Sequence, residues 1–283
     1  MNDFTLRISS TLQEALDDPH SIIWMKGSEW DNLDEFPSEF ADRTVIFTSA
    51  WQMGVFRNIG MGSAKPNYFI VPEGTDDVRY RVPEYDGRVD IVWRGDDPGS
   101  AILTAAVANA TKLDESNCYI KFFGEPSPML MQTMRRGRDE IITDFTEAMF
   151  EDALSDAHIF MYPSFRYHSQ HIPTVKAAKA GCICIVPNHS GFREILGPFG
   201  AYIHHHLENV EYATSTAEKL MNSIGALQSS WNETQTALNA QASFANLSFS
   251  KKYEEHWMAS VRYNLKGLND SRTALSEGGQ TRH

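Results

Sequence analysis

A chain of 283 residues with a formal net charge of −12, 42% hydrophobic and 22% charged residues has the makeup of a globular protein with two domains or one large one. The acidic balance argues against broad binding to nucleic acid or to an anionic membrane, although a local basic pocket can still hold phosphate. No apolar run reaches the ~18 residues of a membrane-spanning helix, and "MNDFTLRISS" has neither the basic nor the apolar region of a secretory signal, so a cytoplasmic location is expected.

Taken in chain order, "TLQEALDDP" has a helical pattern, and "SIIWMKG" and "RTVIFTSA" are apolar runs of strand length. "QMGVFRNIG" predicts a short amphipathic helix stopped by Gly60, and "NYFIVPEGTDD" a third strand running into an acidic loop. From about residue 86 the alternation repeats. "RVDIVWRG" predicts a strand, and "DDPGSAILTAAVANATKL" a loop leading into a helix with Pro98 near its start. "CYIKFFGEP" is a strand ending in Gly124, "DEIITDFTEAMFEDALSDA" a helix, and "HIFMYPS" a strand again. "PTVKAAKAG" predicts a helix with Pro173 at its first position and Gly181 as its stop. Then come a strand in "CICIVPN", a short helix in "GFREIL" and a strand in "GAYIHHH". "ATSTAEKLMNSIGALQSSWNETQTALNAQA" is helical with one break, and "SFSKKYEEHWMASVRYNLK" is a last amphipathic helix before a polar tail expected to be flexible. Strands alternating with helices imply an α/β fold with a mostly parallel sheet covered on both faces, whose ligands bind at the carboxyl ends of the strands.

Cys118, Cys182 and Cys184 fit reduced, buried thiols in strands, with too few ligands nearby for a metal. In "HHH" (204–206) adjacent residues point to opposite faces, so only His204 and His206 could share a metal, and a surface strand accounts for them as well. "MRRGRDE" (134–140) is the densest basic cluster, but acids follow it at once, so it reads as a solvated helix end or loop.

The order of these pieces resembles the glycosyltransferases of the B fold, in particular the large retaining group that includes sucrose and glycogen synthases. "TVIFTSAWQMGVFRNIG" and "NYFIVPEGTDD" are similar to the family's strand ending in serine with its following helix and to its "vipnGvD" strand. "DIVWRGDDPGSAILTAA" is similar to its glycine-rich turn, and "YIKFFGEP" to the strand that ends beside the donor base. "LSDAHIFMYPS", "FRYHSQHIPTVKAAKAG" and "CICIVPNHSGFREIL" follow, in order, the stretch that carries the family's E-x7-E motif, and "SFSKKYEEHW" is similar to its returning helix. The resemblance, from about Arg43 to Lys266, implies two facing Rossmann-like domains. On this scheme residues 1–85 form a reduced acceptor-side unit and 86–245 bind the nucleotide sugar. Residues 246–267 are the returning helix and 268–283 the flexible tail. It also implies metal-independent chemistry with no cofactor, the diphosphate being held by backbone N–H groups, a helix N-terminus and basic side chains.

Two positions depart from the family pattern. Where it has two glutamates, this chain has His168 and Lys176, an H-x7-K motif, and register alone also allows Tyr167 at the first place. A lysine can donate to a ribose oxygen but cannot accept both hydroxyl protons as a carboxylate does. In "WRGDDPGS" Arg94 fills the family's arginine position next to Gly95, but its lysine position falls among acids, proline and glycine. Lys176 either supplies part of that lost positive charge or faces solvent beside Lys179. His168 is expected to hydrogen-bond the sugar or act as acid or base near neutral pH, the alternative being a polar loop residue with no chemical task. Ser164, Ser169 and Thr174 either donate hydroxyls to the sugar and phosphate or cap the helix. Gly124, Glu125 and Pro126 either contact the base through their backbone or form a plain strand-to-loop turn. Asn188, Ser190 and Gly191 stand at the next strand end, and Glu194 either keeps the role of the family's late glutamate or serves only as a first-turn charge. On the acceptor side, Ser49 and Trp51 end the best N-terminal strand, Trp51 as a stacking platform or a core residue.

The implied function is transfer of a sugar from a nucleotide-diphosphate donor to an unidentified acceptor, with a partner chain or second copy as one way to complete the short N-terminal half. The alternative is a catalytically inactive binding or scaffolding subunit. An unrelated doubly wound nucleotide enzyme fits less well, since the phosphate loop G-x-x-x-x-G-K-[ST], a G-x-G-x-x-G after the first strand and a G-x-S-x-G elbow are all missing.

Overall fold

A computed structural model describes residues 7–27, 29–33, 37–59, 67–78, 85–95, 117–134, 139–204 and 209–278. The helix expected over 96–113, most of the basic cluster at 134–140, and His205 and His206 lie outside the described residues. The chain divides into two compact units, one formed by residues 1–74 with 249–283 and the other by 75–248.

In the first unit, β1 (Ile8–Ser9), β2 (Ile22–Met25), β3 (Val45–Phe47) and β4 (Tyr68–Ile70) pair in parallel in the order β1-β2-β3-β4. The short β1 is a strand that the sequence pattern did not reveal. α1 (Leu12–Asp17) opens with a capping box, in which the Thr11 hydroxyl accepts from the Glu14 N–H and the Glu14 carboxylate accepts from the Thr11 N–H. Period-two alternation sorts the strands' side chains. Ile23, Met25, Val45 and Phe47 meet Trp30, Phe40 and Phe56 on one face, Phe56 coming from α2 (Ala50–Asn58).

The second unit carries β5 (Val89–Gly95), β6 (Cys118–Gly124), α3 (Pro128–Thr133), β7 (Glu140–Ile142) and α4 (Glu147–Asp156). β8 (Ile159–Met161), α5 (Ile172–Ala180), β9 (Ile183–Pro187), α6 (Phe192–Leu196), β10 (Ala201–Ile203), α7 (Asn209–Ser229) and α8 (Trp231–Ser248) follow. Its sheet is parallel throughout, in the order β10-β9-β8-β5-β6-β7. The chain therefore starts in the middle, builds outward to β7, and returns to the other side of β5. One face of the sheet, with Ile91, Trp93, Ile120, Phe122, Met161 and Ile185, packs on Leu220, Ile224 and Leu227 of α7. Each such aromatic or aliphatic side chain, when fully buried, stabilises the fold by ~1.5–3 kcal/mol relative to exposure. The helix expected over 139–157 is instead the edge strand β7 followed by α4, which begins only after Thr146 accepts from the Met149 N–H. Three strand residues are too few to leave a period of their own.

The three thiols are free and buried, and burial pushes Cys182 up to about 12. Gly181, at φ 87°, ends α5 in the left-handed conformation that a glycine adopts without Cβ strain.

The last helix, α9 (Lys251–Gly278), belongs to the first unit. Its Met258 and Val261 pack with Ile22, Trp24, Ile46 and Val71, covering the second face of the four-stranded sheet. The Glu254 carboxylate accepts from the Gly74 N–H, and a Cβ on Gly74 would stand 2.7 Å from the Ser250 carbonyl oxygen, so the segment after β4 and the start of the helix touch backbone to backbone. Residues 268–278, expected as tail, continue this helix. Extending a formed helix is far cheaper than nucleating one, and "DSRTALSE" contains no proline to stop it. Among the described residues no helix is long and apolar enough to cross a membrane.

Candidate functional site

The strand order of the second unit has a switch point. All six strands are parallel, and from the middle of the sheet the chain order proceeds outward on both sides, β5-β6-β7 on one and β8-β9-β10 on the other, so the order reverses between β5 and β8. Doubly wound sheets bind ligands at the carboxyl ends of the strands at such a point. The β5 side ends in Gly95, which faces Gly124 of β6 in register. A Cβ on Gly124 would stand 2.0 Å from the Gly95 carbonyl oxygen, and Gly124 has φ 143°, so this pair of strand ends closes only with glycine.

The β8 side is the loop 162–171, and its shape follows from three anchors. Tyr162 is wholly buried, and its backbone N–H donates to the Ile185 carbonyl at 3.0 Å. The hydroxyl oxygen of the buried Ser164 accepts from the Arg166 N–H at 3.1 Å, and the Ser164 carbonyl accepts from the Tyr212 hydroxyl at 3.3 Å. The third anchor is the neighbouring turn after β9. There the Gly191 N–H donates to the His168 carbonyl at 2.9 Å, and a Cβ on Gly191 would stand 1.9 Å from the Ser169 carbonyl oxygen. Phe165, Arg166 and Tyr167 are left exposed at the surface of the loop.

Beneath them lies a group of rings. Tyr162 stacks on His171 with centroids 4.0 Å apart, and its hydroxyl meets His168 Nε2 at 2.9 Å. His168 and His171 lie 4.8 Å apart, and Phe192 touches Tyr162, His168, His171 and His189. Ser190, the one non-glycine residue with positive φ among the described residues (59°), bonds His189 Nδ1 at 2.7 Å. Such a conformation is uncommon outside glycine and collects at functional turns.

The sequence matches no protein-family model and no curated protein. Its fold does have solved counterparts. A sucrose-phosphate synthase from Thermosynechococcus elongatus superposes with a TM-score of 0.61 at 15% identity, covering 80% of this chain and 59% of that one. A glycosyltransferase from Rickettsia africae gives 0.65 at 13% identity, covering 88% and 70%. Anabaena HepE, solved in complex with UDP and glucose, gives 0.60 at 14% identity, covering 78% and 63%. The chain has a glycosyltransferase-B-like fold. At these identities the likeness speaks for the fold and not for the chemistry. The chain spans less than two thirds of the length of the sucrose-phosphate synthase and of HepE.

Of the residues expected on the donor side, Gly95, Gly124, Glu125 and Pro126 lie at the ends of β5 and β6, Ser164, His168 and Ser169 after β8, and Asn188, Ser190 and Gly191 after β9, all at the carboxyl ends of the second unit's strands. Several of their side chains are engaged otherwise than the sequence suggested. Lys176 is buried, and its ammonium contacts the carboxylates of both Glu147 and Glu151 (2.6 Å to Glu151) instead of facing solvent beside Lys179. Burial alone would pull that ammonium's pKa down, but hydrogen bonds and attraction from the two glutamates outweigh it and raise it. Lys179 is wholly buried and donates to the Thr75 and Asp76 carbonyls at 3.0 and 3.3 Å. α5 starts one residue earlier than expected, with His171 as its N-cap, so neither Ser169 nor Thr174 caps it. Thr174 instead bonds His171 Nδ1 at 2.7 Å. The tip keeps little for an anion, because Pro173 has no N–H and the Thr174 and Val175 amides both donate to the His171 carbonyl. Arg94 lies on the α4 face of the sheet, its guanidinium carbon 4.7 Å from the Phe145 ring centre and 5.1 Å from Phe150. Asn188 accepts from Arg193 Nε, and Glu194 sits in the first turn of α6.

In the first unit, Ser49 caps α2, its hydroxyl accepting from the Gln52 N–H at 3.1 Å, and Trp51 is half-buried in the first turn. Among the described residues no three His, Cys, Asp or Glu side chains are arranged to hold a metal ion. Sequence reasoning missed Tyr162, His171, His189 and Phe192. Tyr162 closes an apolar run and passes for core, and the three others come together only because β8 and β9 are neighbours.

Proposed function

We propose that this chain transfers a sugar from a nucleotide-diphosphate donor, bound at the β5/β8 switch point of the second unit, to an acceptor, without a metal. The observation that carries this reading is the reversal of strand order between β5 and β8, with His168 held on the loop that borders it. Arg94, at the end of β5, is the cation nearest in sequence to the strand end where the departing diphosphate would rest. Its charge and the N–H groups of the surrounding loops would stabilise the negative charge that grows on the leaving group. His168 would then contact the transferred sugar as hydrogen-bond partner or proton carrier. Since HepE was solved with UDP and glucose, UDP-glucose is the first donor to try.

A second reading, a binding subunit without catalysis, draws support from Lys176. Two carboxylates hold the ammonium that the family resemblance would have placed beside the donor. A thermal-shift panel of UDP, GDP, ADP and CDP with their glucose conjugates, followed by donor hydrolysis on any that bind, separates the two. A stabilising donor that is hydrolysed supports transfer, and one that is bound but not turned over supports the binding subunit. Silence across the panel counts against transfer and favours the non-catalytic subunit.

A further inference from the structure

We infer that Tyr162 is a positioning residue for His168, fixing the tautomer and therefore the nitrogen with which this imidazole meets a ligand. The inference rests on the reading of the β5/β8 switch point given above. Tyr162 is the first residue beyond β8, it is wholly buried, and its backbone is tied to β9 through the Ile185 carbonyl. The ring is held from one side by His171, nearly parallel at 26° and 4.0 Å, and from another by Phe192 at 6.0 Å. A phenol clamped in this way has little freedom left except rotation of its O–H bond. That hydroxyl stands 2.9 Å from His168 Nε2.

A phenol is the better donor of the two groups and neutral imidazole the better acceptor, so the O–H of Tyr162 points at Nε2 and the ring proton of neutral His168 resides on Nδ1. His168 is then a donor through Nδ1–H, suited to an oxygen of a sugar or phosphate. The other side of the same residue is fixed as well, since its carbonyl accepts from the Gly191 N–H. Backbone and ring of His168 are thus located by two different strands, β9 through Gly191 and β8 through Tyr162. Tyr162 need not touch the ligand to control how His168 does.

The test uses the full chain labelled with nitrogen-15 histidine, comparing wild type with Y162F and using H168Q to assign the His168 signals. Long-range proton–nitrogen correlation spectra at neutral pH read the tautomer directly. The expected result is Nδ1–H for His168 in wild type and a shift toward Nε2–H in Y162F, which keeps the ring and its stacking. His168 found as Nε2–H in wild type, or unchanged in Y162F, overturns the inference. In parallel, calorimetric titration with UDP, GDP, ADP and CDP should show Y162F weakening the best binder about three- to tenfold, the effect of one misdirected hydrogen bond. H168Q, which removes the imidazole, should abolish the difference that Y162F makes. If a diphosphate binds wild type and Y162F equally well, Tyr162 has no positioning role although the donor site stands. If no diphosphate binds wild type, the donor reading fails, and the tautomer spectra alone decide the role of Tyr162.

Discussion

The contact between Gly191 and the β8 loop gives the most direct test of the geometry, through the single substitution G191A. The new methyl carbon would stand 1.9 Å from the Ser169 carbonyl oxygen, 2.8 Å from its carbonyl carbon and 3.3 Å from the His168 oxygen. These are backbone atoms, so no side chain can rotate away, and the loop must retreat by roughly 1.5 Å to regain ordinary van der Waals separation. That movement breaks the 2.9 Å bond from the Gly191 N–H to the His168 carbonyl. Losing the hydrogen bond costs ~0.5–1.5 kcal/mol, and forcing a methyl into a packed site adds ~1–3 kcal/mol. Together they make a destabilisation of ~1.5–4.5 kcal/mol, or ~3–18 °C in the melting temperature of a unit of this size. Differential scanning calorimetry of wild type and G191A measures it, with G191A also losing affinity for any diphosphate found in the panel because His168 moves with its backbone. A G191A protein melting within ~1 °C of wild type would refute the claim that the two loops are joined at this glycine.

The opposite sign is expected at Gly225, inside α7, where an added Cβ meets nothing within 4 Å. G225A should stabilise by ~0.5–1 kcal/mol, read in the same calorimeter, since alanine gives up less backbone entropy in a helix. K176M removes the ammonium between Glu147 and Glu151 and should cost ~1–2 kcal/mol, the worth of two partly solvated pairs. Because the pairing raises the Lys176 pKa, its contribution is complete below the ordinary lysine value and is lost as pH rises through the higher folded one. Urea unfolding should therefore show the gap between wild type and K176M flat from neutral pH to ~9 and closing above ~10.4. Glu73 is raised chiefly by burial, with Glu254 adding to the rise and Lys26 and Lys251 opposing it. A raised carboxyl favours the folded state while protonated and penalises it once ionised, so E73Q should melt higher than wild type at pH 8, with the difference shrinking as pH falls toward 4.

Much of the second unit could be read from residue order alone, because β5, β6, β8 and β9 are apolar runs bounded by glycine or proline. β1 and β7 could not, being two and three residues long, since so short a strand carries no period of its own. Of the residues named from the sequence, those after β5, β6, β8 and β9 lie at the carboxyl ends of the second sheet's strands, while the charged ones are engaged otherwise than expected. Its place in a helical turn leaves Lys176 open between meeting an anion and facing solvent, but whether a lysine meets phosphate, water or carboxylate depends on the helix packed beside it. Here that helix is α4, which brings Glu147 and Glu151, 29 and 25 residues away in the chain. The same limit hid the group of rings. Tyr162, His171 and Phe192 look unremarkable in their own segments, and only parallel pairing of β8 with β9 makes them one cluster.

The covering of the four-stranded sheet by α9 has a consequence for how the molecule is made. Residues 1–74 leave the ribosome first, but Met258 and Val261, which close one side of their core, are synthesised only after all of 75–248. For that interval the apolar side chains of Ile22, Trp24 and Ile46 lack their cover, while the intervening segment already holds everything its own sheet requires. The unit begun before the other is thus finished after it, and a nascent chain stalled before residue 258 should expose the uncovered apolar face of residues 1–74 to chaperones.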